Sequence, residues 1–95
     1  MSNIHAGGYV LAEMNACDLP EEVATGLEKT LNSMLGAKYV PVLYVGHQVV
    51  AGMNHMIICK QVRATANAEE RLVKVVLHSA PTTGEWSVDS VGQIV

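Results

Sequence analysis

From Tyr9 to Met14 the side chains alternate, with Tyr9, Leu11 and Glu13 on one side and Val10, Ala12 and Met14 on the other. That period predicts a strand with one wholly apolar face. The period then lengthens: Val23, Leu27, Leu31, Met34 and Leu35 recur at helical spacing, which predicts a helix opened by Asp18 and closed by Gly36. Asp18 and Glu21 have capping-box spacing, and Pro20 is tolerated in a first turn, where backbone N–H groups lack partners. Gly26 inside this helix costs about 1 kcal/mol against alanine, which the apolar stripe should outweigh.

After Gly36 the residues become β-branched and aromatic. The stretch "KYVPVLYVGHQVV" predicts a long strand, since Pro41 and Gly46 both oppose a helix, and Pro41 should leave the start of that strand unpaired on one side. A second strand is expected from about Asn54 to Arg63, where His55, Ile57 and Cys59 alternate with Met56, Ile58 and Lys60. A third covers Leu72 to His78, with Val73, Val75 and Leu77 on one face, and "WSVDSVGQIV" is a weaker final strand. The stretches "ATANAEE" and "SAPTTGE" are connections, with Glu69 and Glu70 read as a solvated turn. A lone helix cannot bury its stripe, and an antiparallel sheet needs one face covered. The expected fold class is therefore α+β: one domain over residues 1–95, with an antiparallel sheet of four to five strands wrapped around one long α-helix.

Composition narrows the function classes. With 95 residues, 49% apolar content and 16% charge, the chain is one small globular unit. A net charge of −3, without a Lys/Arg cluster interleaved with aromatics, argues against nucleic-acid binding. No apolar run approaches the ~20 residues that cross a bilayer, and "MSNIHAGGYV" has no signal-peptide pattern, so no membrane partner and a cytoplasmic location are expected. Two cysteines, Cys17 and Cys59, are too few for a secreted disulfide framework and suit free thiols, with a single disulfide between them as the alternative.

The least ordinary stretch is Gln48-Val49-Val50-Ala51-Gly52, which falls where two strands need a hairpin. Turn centres draw on Gly, Asn, Asp and Pro, and valines suit their backbone angles poorly. An uncharged, exposed and apolar tip is the expected signature of a surface that enters a partner's groove. The alternative is a strand that continues to Val50 before turning.

At this point the chain resembles the cystatins, inhibitors of papain-like cysteine proteases, and among them the stefin-like (type 1) branch. Gln48 to Gly52 matches their Gln-x-Val-x-Gly first hairpin loop, Gly7-Gly8 stand upstream as their amino-terminal glycine does, and Asn54 and Ser79-Ala80-Pro81 are similar to stefin positions. The resemblance implies a reversible inhibitor rather than an enzyme, with no cofactor, whose partners are cathepsin-type papain-like proteases. It implies a three-edged wedge: the amino-terminal stretch with Ala6, Gly7 and Gly8, the loop Gln48, Val49, Val50, Ala51 and Gly52, and a second loop with Ala80, Pro81 and Trp86. There are two departures. Pro81 and Trp86 are separated by "TTGE", where secreted cystatins have an adjacent Pro-Trp pair, and "YVLAEMNA" is more strand-like than a stefin's entry into its helix. A monomer is expected, with a domain-swapped dimer open to it if the hairpin straightens.

Other chemistries are weaker. His5, His47, His55 and His78 show no tight ligand spacing, so no metal is expected. Cys59 with His55 as base would be a nucleophile pair, but on a strand residues four apart lie about 13 Å apart. Trp86 has a plainer reading as a core plug. The alternative function is a cystatin-like binding or structural module that inhibits nothing.

Overall fold

The computed structural model describes residues 9–33, 36–67 and 69–95. Helix α1 (Glu21–Lys29) is followed by a 3₁₀ turn (Leu31–Ser33) and four strands: β1 (Ala37–Val50), β2 (Gly52–Arg63), β3 (Glu70–Ser79) and β4 (Trp86–Gln93). The strands form one antiparallel sheet in the order β1-β2-β3-β4, an α+β arrangement. Every neighbour in the sheet is also a neighbour in sequence, so each connection is a simple reversal. No described helix is long and apolar enough to cross a membrane.

The core lies between α1 and one face of the sheet. Val23, Leu27 and Leu31 meet Ile57 and Cys59 of β2 and Val73, Val75 and Leu77 of β3, the residues that the two periods select. Met34 and Leu35, the last members of the helical stripe, lie outside the described residues, as do Ala6, Gly7 and Gly8.

The helix spans nine residues and is shorter than its apolar stripe predicts. Its N-cap is Pro20, without a side-chain cap bond, so the Asp18/Glu21 capping box does not form. The end comes early because polar side chains there bond locally instead of continuing the helix. Thr30 Oγ1 donates to the Gly26 carbonyl at 2.8 Å, and Ser33 Oγ donates to that of Thr30 at 2.8 Å. Asn32 then grips β1 at two points, accepting from Tyr39 N at 2.7 Å and donating to Tyr39 O at 3.0 Å.

The segment Tyr9–Met14 is not a strand. Its half-buried residues are Leu11, Met14 and, further on, Cys17, while Val10 and Ala12 are exposed; the real spacing is three and the apparent alternation is accidental. Just beyond the segment, Cys17 N donates to Pro41 O of β1 at 2.9 Å. Pro41 itself stands in the edge strand β1, where a missing donor is tolerated. Register shifts after Pro41 and after Tyr44 bend β1, as bulges do.

Gly26 shows why it is not alanine. It is buried in α1, and a Cβ placed on it would run into the indole of Trp86. Trp86 opens β4, is half-buried, and packs against the core.

Candidate functional site

The hairpin that joins β1 and β2 is built from strand residues almost to its tip. His47 pairs with His55, Gln48 with Asn54, Val49 with Met53 and Val50 with Gly52, leaving Ala51 alone at the bend. The valines are therefore extended and unstrained, contrary to the expectation that they occupy turn angles. The unusual backbone is at Gly52, with φ +97°, a region that side chains disfavour.

Val49 and Val50 are adjacent in a strand, so they project from opposite faces. Val49 is 74% exposed and Val50 41% exposed, and Gln48 and Ala51 are exposed too. The result is a narrow, uncharged ridge with an apolar residue on each flank.

The second loop stands beside this ridge. Met53 pairs with Ser79 and Asn54 with His78 across β2 and β3, so Ala80 begins next to the first hairpin. From there the chain closes a tight turn, with Ala80 N bonded to Glu85 O at 2.8 Å and Gly84 N to Ala80 O at 3.1 Å. Pro81, Thr82, Thr83 and Gly84 are exposed, whereas Ala80 is half-buried. Of the residues expected to act together, the structure brings Gln48, Val49, Val50, Ala51 and Gly52 to the same end of the sheet as Ala80 and Pro81. Trp86 lies behind the turn with its indole over Gly26 of α1.

Beneath the tip, on the helix side, is a cluster that sequence reasoning did not assemble. His55 is buried, its Nδ1 is 2.9 Å from the Tyr44 hydroxyl, and its ring centroid lies 5.4 Å from that of Trp86 and 6.2 Å from that of His47. Burial holds the His55 pKa below its ordinary value, and His47 adds to the effect while Glu22 opposes it. Burial likewise raises the Tyr44 pKa, with Glu22 adding to it. The signal for this cluster was the i, j pairing of two histidines across a hairpin, which becomes readable only once the register is fixed. Among the described residues no group of three or more His, Cys, Asp or Glu side chains could hold a metal ion.

Cys17 and Cys59 are both free thiols. Burial, reinforced by Cys17, pushes the Cys59 thiol up to about 12, so it stays protonated at neutral pH and is a poor nucleophile. At the far end of the sheet, Glu69 and Glu70 do more than solvate a turn. Glu69 sits 3.7 Å from Arg63 and 3.6 Å from Arg71, and Glu70 sits 3.6 Å from Lys60, tying β2 to β3.

No protein-family model, no curated protein and no solved structure matches this chain.

Proposed function

We propose that this protein is a reversible, stefin-like inhibitor of papain-like cysteine proteases and that its sheet and helix are a cystatin-like roll with a shortened helix. The observation that carries the proposal is the charge-free ridge Gln48–Gly52, exposed at the sheet's end with the second loop beside it. Such a ridge suits a narrow apolar cleft. Burying Val49, Val50 and Ala51 would gain about 25 cal/mol for each Å² of apolar surface removed from water. Extended, paired backbone right up to the bend means that little conformational freedom is lost on docking.

In this reading the first hairpin enters the cleft beside the catalytic cysteine and the turn carrying Ala80 and Pro81 covers the neighbouring side. Ala6, Gly7 and Gly8 supply the third edge. Trp86 supports the second edge from behind, because its indole is engaged with Gly26 and His55. Inhibition is by occlusion: no scissile bond is aligned and the chain contributes no catalytic group. The protease partner acts in solution, and neither a nucleic acid nor a membrane is involved.

The test is steady-state inhibition of papain and of a trypsin-like serine protease by the purified protein, with small peptide substrates. Competitive, reversible inhibition of papain alone supports the proposal. Inhibition of neither removes it in favour of a binding or structural module, and equal inhibition of both removes the papain-like cleft as its specific target.

A further inference from the structure

The two loops are joined through side chains as well as through the strand ladder. His78 Nδ1 lies 2.9 Å from Asn54 Oδ1, and an amide oxygen only accepts, so Nδ1 carries the proton and donates. The Cε1–Nε2 edge of the same ring lies over Gly52: a methyl placed there would come within 2.9 Å of Cε1 and would run into the Ser79 carbonyl. Ser79 Oγ also donates to Met53 O at 3.4 Å. Four contacts thus converge on Gly52, Met53 and Asn54, the root of the first hairpin, from the last two residues of β3, which lead directly into the second loop.

We infer that His78 and Asn54 are positioning residues that hold the first hairpin tip at a fixed offset from the second loop, so that both enter a partner's cleft as one rigid unit. The inference rests on the wedge reading above for its partner, but the clamp itself is a property of the free protein. Gly52 is part of it. Any side chain there would displace the ring and the carbonyl, so the glycine serves close approach as well as its positive φ.

The experiment compares wild type with His78→Ala, His78→Asn and Asn54→Ala. Asparagine places an amide nitrogen near the position of the imidazole Nδ1 and so keeps the bond to Asn54 while losing the ring. Two quantities are read: amide hydrogen exchange at Val49 to Met53 in the free protein, and the dissociation rate from papain. Dissociation is measured on complexes already formed, so a lower folded fraction does not move it.

The clamp predicts faster exchange at the tip and roughly threefold to tenfold faster dissociation for His78→Ala and Asn54→Ala, the effect of one net hydrogen bond, with most of it restored in His78→Asn. Unchanged exchange and dissociation in both alanine variants overturn the inference. So does equal loss in His78→Asn, which would assign the effect to ring packing. If wild type does not bind papain, the wedge reading fails and the exchange data alone decide the clamp. If His78→Ala does not fold, Asn54→Ala, which keeps the ring over Gly52, carries the same prediction.

Discussion

Replacing Gly26 with alanine separates the two roles that Trp86 can have. On helix propensity alone the change should stabilise the protein by about 1 kcal/mol, because Gly26 is interior to α1. In the structure the new methyl would collide with the indole of Trp86 at several atoms, so helix and β4 must separate or the indole must leave its rotamer. Overpacking of this kind costs about 1–3 kcal/mol, which matches or exceeds the propensity gain. The expected outcome is a net loss of up to about 2 kcal/mol, a fall of at most roughly 16 °C in Tm for a domain of this size at about 4–8 °C per kcal/mol, measured by thermal and urea denaturation. In a Trp86→Val background, where the methyl has room, Gly26→Ala should cost less than it does in wild type or even stabilise, so a double-mutant cycle reads the pair as coupled. If Gly26→Ala is more stable than wild type, the indole is not seated on the helix. Trp86 would then be free to serve as a contact in the second loop.

Val50→Asp at the ridge should leave thermal stability nearly unchanged and weaken papain inhibition by well over tenfold, since a carboxylate would be buried unpaired in an apolar cleft; unfolding of the variant would place Val50 in the core. His55, with its folded pKa below its unfolded value of 6.5, binds more protons when unfolded. Its contribution to stability is therefore complete above pH 6.5 and is lost as pH falls through 6.5 towards the folded pKa. Urea denaturation should show that loss in wild type and not in His55→Gln, and a wild type that gains stability on acidification across this window would contradict it. Heating to partial unfolding should yield a dimer in which the hairpin straightens and β1 runs directly into β2. Only Ala51 and Gly52 need new angles for that exchange, because Val49 and Val50 are already extended. Size exclusion followed by inhibition assays should find the dimer inactive, and a fully inhibitory dimer would separate hinge from inhibitory loop.

The parts of the fold legible in the sequence were those set by local period. His55, Ile57 and Cys59 alternate to the core, as do Val73, Val75 and Leu77, and Val23, Leu27 and Leu31 meet them at helical spacing. What was not legible depended on partners distant in sequence or on local competition. Gly26 looked like a cost because the tryptophan that needs its missing Cβ lies far along the chain. The helix was overextended because its stripe runs on through Leu31, while Thr30, Asn32 and Ser33 use their side chains to leave helical geometry. Tyr9–Met14 alternates in composition, but its half-buried residues, Leu11 and Met14, stand three apart, so the alternation does not select one buried face. The ridge was visible in the sequence as an uncharged stretch at a reversal. Its support by His78, Asn54 and Ser79 needed the register, which no single strand contains.

The most direct test of the inhibitor assignment is a titration of active papain, at a concentration high enough for tight binding, with the purified chain, followed by the mass of the recovered chain. Activity should fall linearly to zero at one equivalent, and the chain should be recovered uncleaved. Undiminished papain activity at large excess, or activity lost only while the chain is being cleaved, would contradict it.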